Sequence, residues 1–468
     1  MFIVYYIVYY NKIIILTTIN LKTRFFIVIA LIALSIAVHL IPFALHGKHP
    51  LGYDTGFYRR YLIEPIVSFP NPPTPGLGDD AFLTRFLLHT LRFSGISPDV
   101  ILYGGYIAVW AIVVAVFFFL IESFFGAKTA LLASLLFIFS PIQYINYWSM
   151  LWKNTLAILF LFLAFWAINK KSWALIPLTL AISFTHQTTS VIYILTLAIY
   201  FLFNFKNLNK REFLKLAVPL GSALVIFLFL HLDFYKNFIQ LPVAAFVKLP
   251  LYAKISTPLF LLAIFGVKDF IFWQKKSILS SFGIAAIVFP LFQLPFHERM
   301  IIFTDIFLLI IGAIGLKQLQ ESFASKTFFW KISICVLAAS SIGWYLGNFK
   351  NQIENFTSMI NEKELIVIQN LKQHIPPEAA ILTSNELAPW VHGWTLNRVI
   401  APGLMERYYN HNDWIDFWNT SSGAEKAGFL SVFPKPLFIV INPEQEKYFV
   451  PQLPCAKNTA PFIFQYQC

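Results

Sequence analysis

Residues 100–121 read VILYGGYIAVWAIVVAVFFFLI, a run of 22 residues without a charge. An α-helix needs about 20 such residues to cross the hydrocarbon core of a membrane. Comparable apolar runs recur at residues 25–45, 128–146, 154–168, 173–186, 188–204, 213–231, 257–272, 278–294, 300–316 and 331–347. The pattern predicts an α-helical polytopic membrane protein with about 11 transmembrane helices, of which the short fifth and sixth could form one broken hairpin.

The composition of the whole chain agrees with this pattern. Of its 468 residues, 58% are hydrophobic and 12% are charged, and the mean hydropathy is +0.67. A soluble domain has about a quarter of its residues charged. The composition therefore excludes a soluble enzyme, a disordered chain and a fibrous protein, and the uninterrupted apolar runs exclude an outer-membrane barrel.

The charges between the apolar runs predict the orientation. Residues 1–347 hold 26 lysines and arginines against 12 acidic residues, whereas residues 348–468 hold 9 against 11. If the spans alternate, the basic connections share one side of the membrane, which is then the cytoplasmic side. We expect a protein of the cytoplasmic membrane with its N-terminus inside and its C-terminal domain outside. Because the basic residues flank spans, nucleic acid is not an expected partner.

Two outer segments are too long to be turns. The loop 46–99 is rich in proline, glycine and charge, and the periodicity of residues 80–93 predicts a helix on the membrane surface. The C-terminal residues 348–468 begin with a helical pattern and continue with strand-like runs at 379–384, 398–401, 436–441 and 462–467. We therefore predict a transmembrane domain at 1–347, which includes the loop, and an extracytoplasmic α/β domain at 348–468.

Two features at the chain ends are less specific. Residues 1–20 are interrupted by Lys12 and no small-residue cleavage site follows, so we interpret them as an interfacial segment or an extended start. Cys455 and Cys468 could pair in an oxidising compartment, but their spacing indicates no disulfide framework.

Four polar clusters lie on the predicted outer face, where ionisable residues near lipid often mark a site. The first is GYDTGFYRRY at 52–61. Its Asp54 could bind a metal ion or activate a nucleophile, and Arg59 and Arg60 could bind an anion. A loop with interfacial tyrosines and arginines is the alternative.

The second and third clusters have equally ordinary alternatives. Asp79 and Asp80 could bind a metal ion, although a cap for the helix that follows is the favoured interpretation. His186 stands between two short spans in SFTHQTT and could donate to a phosphate or a sugar hydroxyl. A hydrogen-bonded hairpin explains the same residues.

The fourth cluster, His297, Glu298 and Arg299, lies where the ninth and tenth spans meet. Arg299 suits bidentate recognition of a phosphate, and Glu298 could orient it. An outer turn with an internal ion pair is the alternative. Asp305 lies deeper in the tenth span, where a carboxylate needs either Arg299 or a polar cavity.

Taken together, the topology and these clusters resemble the GT-C superfamily of polytopic glycosyltransferases, near the protein O-mannosyltransferases and aminoarabinose transferases. Gly52-Tyr53-Asp54 occupies the position of the superfamily's acidic residue after the first helix. The run FSPIQY at 139–144 is similar to its Ser-Pro turn, and residues 183–187 and 297–299 resemble polar junctions of bacterial and archaeal members. Many members carry a second acidic residue after the third helix, but residues 141–153 contain none.

The resemblance implies an enzyme that transfers a sugar from a polyprenyl-phosphate-linked donor, with inversion, to an acceptor that is a protein, a lipid or a glycan. Asp54 would activate the acceptor. Arg59, Arg60, His186, His297, Glu298 and Arg299 would contact the donor and its departing phosphate. A divalent metal ion is an optional cofactor, for which Asp54, Asp79 and Asp80 are the candidate ligands.

Other functions fit parts of the pattern. A transporter or flippase usually shows internal repeats and broken helices near the midplane, and no repeat is evident here. An oligosaccharide polymerase or ligase uses related lipid-linked substrates but has its large outer loop late in the chain. A scaffold in which only residues 348–468 bind a partner is the remaining alternative.

Overall fold

A computed structural model describes most of the chain. The described residues are 20–46, 51–64, 82–231, 247–274, 277–294, 296–325, 328–355, 358–402, 409–442, 445, 453 and 455–468. Asp79 and Asp80, and residues 1–19 of the predicted interfacial segment, lie outside these ranges.

The apolar runs form helices throughout the described part of the chain. The helices of the membrane region and of the first loop are α1 Leu21–His46, α2 Thr55–Ile63, α3 Phe82–Leu91, α4 Tyr106–Phe125, α5 Ala127–Ile138, α6 Pro141–Trp148, α7 Trp152–Asn169, α8 Leu175–Thr185, α9 Gln187–Asn204, α10 Lys210–Ile226, α11 Leu249–Gln274, α12 Ile278–Leu291, α13 His297–Ser325 and α14 Phe328–Asn355. Each predicted span coincides with one of these helices or with a pair of them.

Not every predicted span is a long straight helix. Within the described ranges, eight helices are long and apolar enough to cross a membrane. The third predicted span is instead the pair α5 and α6, bent by 51° between Ile138 and Pro141, and it is a ninth candidate. The helices α8 and α12 are apolar but shorter. The bend has a local cause, because Pro141 lacks a backbone N–H and Ser140 caps the new helix through the N–H of Gln143 at 3.2 Å.

The chain divides into two compact units. The first contains residues 1–41, 107–147 and 153–356, and the second contains residues 42–106, 148–152 and 357–468. This division differs from the predicted boundary at 347/348, since the first loop groups with the C-terminal residues.

In the first unit, helices α11 and α13 pack at very short range. A Cβ atom on Gly266 would lie 2.2 Å from the carbonyl oxygen of Ile311, and one on Gly315 would lie 2.0 Å from that of Leu262. Helices in lipid gain much of their association energy from such close backbone packing. Glycines at these two positions therefore make the contact sterically feasible.

The second unit is built around a five-stranded sheet. Its remaining elements are α15 Glu362–His374, β1 Ala380–Thr383, α16 Ala388–Trp394, β2 Arg398–Ile400, α17 His411–Asn419, α18 Gly423–Leu430, β3 Leu437–Val440, β4 Ala456–Ala460 and β5 Ile463–Tyr466. The strand order is β2-β1-β3-β5-β4. Strands β2, β1 and β3 are parallel, and β5 and β4 are antiparallel to their neighbours.

Alternate residues of the sheet serve two hydrophobic cores. Ile381 belongs to the core that includes helices α15 and α16, whereas Leu382 belongs to the core that includes Trp414 of α17. The helices therefore cover both faces, as expected for short parallel strands. Phe57 of helix α2, from the first loop, is buried in the core with Ile381.

The predicted C-terminal elements are confirmed, and one strand was missed. The predicted α/β organisation appears as the helix α15 and the strands β1, β2, β3 and β5. Strand β4 is a polar, largely exposed edge strand, so it carries no alternating apolar signal. Cys455 and Cys468, which flank β4 and β5, form a disulfide with a Cα–Cα distance of 5.5 Å.

Candidate functional site

Asp54 lies immediately before helix α2 in the second unit. Gly52 has a φ angle of +61°, and a Cβ atom there would lie 2.4 Å from the backbone of Ser149. Only glycine accommodates both this conformation and this contact. The glycine thus fixes the chain two residues before Asp54, whose carbonyl oxygen accepts the first helical hydrogen bond from Tyr58 at 3.3 Å.

Tyr53 connects this segment to the end of strand β1. Its hydroxyl donates to the side-chain oxygen of Asn385 at 2.7 Å and lies 3.0 Å from the Asn385 carbonyl oxygen. Burial raises the pKa of the Tyr53 hydroxyl above its usual range, and the charges of Asp54 and Glu386 raise it further. Two carboxylates therefore act on one hydroxyl at the carboxyl end of a parallel strand, where α/β sheets commonly bind ligands.

Arg59 and Arg60 have protein partners within the same unit. Arg59 donates to Asp99 at 2.8 Å and to the Gly393 carbonyl oxygen at 2.9 Å, and its guanidinium lies 4.3 Å from the centre of the Trp394 ring. Arg60 donates to the carbonyl oxygens of Thr395 and Leu396. These contacts join helix α2 to helix α16 and give both arginines a structural role.

A buried ion cluster follows the arginines and was not predicted. Glu64 and Arg85 are 2% and 1% exposed, and their ion pair measures 2.8 Å. Arg60, also buried, lies 3.9 Å from the other carboxylate oxygen of Glu64. The four-residue spacing of Arg60, in the last turn of helix α2, and Glu64, which directly follows that helix, is the sequence signal that could have identified this pair.

Helix α3, which supplies Arg85, confirms the predicted loop helix. Its Arg85 and Leu88 are buried, whereas Phe82 and Phe86 on the opposite face are exposed by 41% and 45%. The exposed face is therefore apolar and the buried face carries the ion pair.

His186, in the first unit, ends helix α8 and caps helix α9. Its Nδ1 accepts the N–H of Thr189 at 3.4 Å and lies 2.8 Å from the Thr189 hydroxyl. That hydroxyl donates to Asn154, whose amide donates to Asn146 at 2.8 Å. Since Nδ1 accepts a hydrogen bond, the neutral ring carries its proton on Nε2.

His297, Glu298 and Arg299 form the first turn of helix α13 and are half-buried. The Nδ1 of His297 lies 3.1 Å from the Leu294 carbonyl oxygen, to which it donates. The Arg299 N–H donates to the Phe296 carbonyl oxygen at 2.9 Å. This cluster and the network of His186 belong to different helices of the same unit.

Asp305 lies two turns further along α13 and has neutral partners. Its Oδ2 accepts from the Ser140 hydroxyl at 2.7 Å and from the Gln143 amide at 3.0 Å. Of the two predicted surroundings, Arg299 or polar groups, the described contacts are those with polar groups. They attach helix α13 to the bend between α5 and α6.

The polar residues that reasoning from sequence missed lie near this bend. Asn146, Asn154 and Gln143 are buried, with exposures of 1–3%. The available signal was the presence of amide side chains inside apolar spans, where burial requires a partner.

Within the described ranges, no three histidine, cysteine, aspartate or glutamate side chains form a group that could hold a metal ion. The segment 148–152, which packs against Gly52, contains no acidic residue.

Among known proteins, no family model and no curated protein sequence matches the chain, whereas solved structures do. An oligosaccharyltransferase from Archaeoglobus fulgidus, crystallised with a tethered acceptor peptide containing the NVT sequon, is similar in structure. Its TM-score is 0.59 at 11% identity, and the match covers 86% of this chain and 68% of that protein.

Two further structures give related matches. The oligosaccharyltransferase AglB from A. fulgidus, in complex with an inhibitory peptide and a dolichol-phosphate, matches with a TM-score of 0.54 at 11% identity, over 89% of this chain and 70% of its own. ArnT from Cupriavidus metallidurans, bound to undecaprenyl phosphate, matches with a TM-score of 0.56 at 14% identity. The match covers 94% of this chain and 98% of ArnT. The fold predicted from the sequence is therefore confirmed: the chain shares the fold of these oligosaccharyltransferases and of ArnT, and eight of its described helices are long and apolar enough to cross a membrane.

Proposed function

We propose that the protein is a glycosyltransferase that moves a sugar from a polyprenyl-phosphate-linked donor to an acceptor at the outer membrane face. The fold match over nearly the whole chain to ArnT, bound to undecaprenyl phosphate, carries this proposal. The match to AglB, which is in complex with a dolichol-phosphate, also supports a donor linked to a lipid phosphate, whatever the acceptor is.

The orientation is supported by the cysteines. Disulfides persist in oxidising compartments and are rare in the cytosol. A bridge between Cys455 and Cys468 therefore favours an extracytoplasmic C-terminal domain. The positive charges of the connections between spans favour the same orientation in a cytoplasmic membrane.

In the proposed reaction, an acceptor oxygen or nitrogen attacks the anomeric carbon of the sugar. The bond from that carbon to the phosphate oxygen breaks, and the polyprenyl phosphate leaves with the electron pair. A base must take the proton of the acceptor, and we assign this role to Asp54. One attack inverts the anomeric configuration.

The departing phosphate needs hydrogen-bond donors. We assign phosphate binding to Arg299, whose planar guanidinium can donate two parallel hydrogen bonds, with His186 as a further donor through Nε2 and Glu298 as an orienting group. His297 already donates through Nδ1 to the Leu294 carbonyl oxygen, so it would donate to the phosphate through Nε2 of its protonated ring. Arg59 and Arg60 are left out of this assignment because both bind carbonyl oxygens of residues 393–396.

We retain a divalent metal ion as an optional cofactor, with Asp54 as the one candidate ligand that is described. The described ranges hold no group of three or more histidine, cysteine, aspartate and glutamate side chains for it. Asp54 and Glu386 are two carboxylates whose charges act on the Tyr53 hydroxyl, and oxygen ligands suit magnesium and manganese. When bound, such an ion would polarise an oxygen of donor or acceptor. Loss of transfer after chelation, restored by added magnesium or manganese, is the expected result.

The function and the role of Asp54 are tested in membranes that contain the protein and a radiolabelled polyprenyl-phosphate sugar. We expect the wild-type protein to release the lipid phosphate and label an acceptor, and Asp54→Asn to be inactive at equal expression. Asp99→Asn is the matched control, because it removes an exposed carboxylate of the same unit. Normal transfer by Asp54→Asn would exclude Asp54 as the base, whereas no transfer by the wild-type protein across protein, lipid and glycan acceptors would contradict the function itself.

Arg299→Lys tests phosphate binding separately. It keeps the charge but loses the planar guanidinium, so we expect a rate lowered by about tenfold or more. An unchanged rate would exclude bidentate binding by Arg299.

A lipid flippase is the second candidate, and one observation favours it. The bent pair α5 and α6 carries buried polar contacts at its break, a feature common in transporters. Translocation of a labelled polyprenyl-phosphate sugar in proteoliposomes without any acceptor, and without release of the sugar, would support the flippase.

A further inference from the structure

Asp305 is fully buried in the first unit and uses only one of its two carboxylate oxygens. Oδ2 accepts both the Ser140 hydroxyl and the Gln143 amide. Oδ1, in contrast, has no hydrogen-bond partner among the described residues. A buried acceptor without a donor is costly, and more so when it carries a charge.

Two further side-chain oxygens, those of Gln143 and Tyr252, lie near the same carboxylate. The Gln143 amide nitrogen donates to Asp305 and to the Ile302 carbonyl oxygen at 3.1 Å, so both of its hydrogens are used. The Gln143 carbonyl oxygen Oε1 is buried, and no described donor reaches it. The buried hydroxyl of Tyr252 on helix α11 lies within electrostatic range of Asp305 and beside the Ser256 side chain, and its oxygen keeps a lone pair for a further contact.

No described residue would balance a negative charge on Asp305. The side chains that hydrogen-bond to its carboxyl group, Gln143 and Ser140, are neutral. No described lysine, arginine or histidine forms an ion pair with it. A charged group inside a membrane helix requires compensation, which a bound cation can supply.

The helix break places the carboxyl end of one helix and the amino end of the next beside Ser140. Ser140 lies between helix α5, which ends at Ile138, and helix α6, which begins at Pro141. The carboxyl end of a helix carries a partial negative charge, and broken membrane helices coordinate sodium ions through such ends. The Tyr345 hydroxyl donates to the Leu136 carbonyl oxygen at 2.9 Å, so at least one carbonyl group of this end is accessible to side chains.

We propose that Asp305 binds a sodium ion through Oδ1, with the Gln143 carbonyl oxygen and the Tyr252 hydroxyl as further ligands. One carboxylate matches one positive charge, whereas calcium prefers six to eight oxygens and usually more than one carboxylate. Three buried ligands from closely packed helices also favour a small ion. The site goes beyond the proposed glycosyl transfer and does not depend on it.

The test uses the purified full-length protein in detergent, at constant ionic strength with sodium, potassium or choline chloride. Direct binding of radioactive sodium should saturate at about one ion per chain. Sodium at about ten times its half-saturating concentration should raise Tm by roughly 2 °C relative to choline. Potassium should have a smaller effect.

Variants identify the ligands. Asp305→Asn keeps an oxygen for the hydroxyl of Ser140 but removes the charge, so we expect it to lose sodium binding and the sodium-dependent part of Tm. Tyr252→Phe should weaken binding by about tenfold. The matched control is Glu321→Gln, which removes an exposed carboxylate of the same helix α13 and should leave binding unchanged.

Three outcomes would overturn the proposal. Absence of saturable sodium binding to the wild-type protein would do so even if Asp305→Asn failed to fold. Equal Tm values in the three salts would indicate a proton or a water molecule at Asp305. Equal sodium binding by folded Asp305→Asn and by the wild-type protein would place the ion elsewhere. Since no readout involves sugar transfer, these results are independent of the proposed enzyme activity.

Discussion

Glu64 and Asp305 are both buried carboxylates, but they are stabilised in different ways. Glu64, in the second unit, forms ion pairs with Arg85 and Arg60. Asp305, in the first unit, accepts hydrogen bonds from the neutral groups of Ser140 and Gln143. In the first case the protein supplies the opposite charge itself. In the second, no described residue supplies an opposite charge, which is why we proposed a sodium ion as the partner.

The comparison predicts that neutralising Glu64 is the most damaging change. Glu64→Gln would leave Arg85 and Arg60 buried without their carboxylate, and breaking such a pair costs about 3–5 kcal/mol. Hydrogen exchange of the amides of strands β1 and β3 reports the free energy of unfolding of the second unit. Asp99→Asn is the control, since the carboxylate that pairs with Arg59 is 51% exposed, and its loss should cost less than about 1 kcal/mol. Equal effects of the two variants would contradict a special role for the buried pair.

Gly56→Ala should weaken the contact on which Arg60 depends. A Cβ atom at Gly56 would lie 1.7 Å from the carbonyl oxygen of Pro389 on helix α16. The two helices would have to separate, at a cost of about 3 kcal/mol, measured by the same hydrogen exchange. Gly428→Ala is the control, because a Cβ atom there meets no atom within 4 Å. A neutral effect of Gly56→Ala would show that the helices do not pack as described.

Ser140→Ala should affect the first unit more mildly. It removes one donor to Asp305 and the cap of helix α6, while the Gln143 amide remains. We expect a loss of about 1–2 kcal/mol, seen as faster hydrogen exchange of the α6 amides. Ser134→Ala, a buried serine of helix α5, provides the control. If both variants behaved alike, the contact with Asp305 would not stabilise the bend.

Acidification should lower the free energy of unfolding of the second unit by less than the substitutions at Glu64 and Gly56 do. Burial lowers the pKa of His392 well below 6.5, and the charge of Arg60 lowers it further. Below pH 6.5 the unfolded chain therefore binds a proton at His392 that the folded unit excludes. The contribution of neutral His392 to the free energy of unfolding is fully present above pH 6.5. It is lost progressively as the pH decreases towards the pKa of His392 in the folded state. The loss should be about 1 kcal/mol between pH 6.5 and pH 5.5. In His392→Gln this part of the pH dependence should disappear, and a slope equal to that of the wild-type protein would exclude His392 as its source.

The fold was largely predictable from the sequence because it depends on long apolar runs. Residues 100–121 and their counterparts predict membrane helices by length alone, and alternation of apolar residues predicts strands such as β1 and β3. The polar edge strand β4 gave no such signal. Periodicity did not predict the bend at Ser140, because it does not distinguish one long helix from two joined at a proline; only the resemblance of FSPIQY to a Ser-Pro turn indicated that place.

The candidate site was less predictable because contacts between distant residues decide it. Arg59 and Arg60 look like anion ligands in the sequence, yet their partners include carbonyl oxygens more than 330 residues away. The position of Asp305 in a span did predict a need for polar partners. Which partners it has depends on how α13 packs against the bend, and no local pattern contains that information.

The contact between Gly56 and the carbonyl oxygen of Pro389 also has a consequence for biosynthesis. Helix α2 leaves the ribosome early, but Thr395, which binds Arg60, is 335 residues further along the chain. At about 5–20 residues per second, the loop helix waits roughly 15–70 s before its partner has been synthesised. During that interval Arg60 and Phe57 have no core to enter. The second unit therefore folds after translation of the spans, and the loop must be protected from aggregation and proteolysis until the last part of the chain arrives.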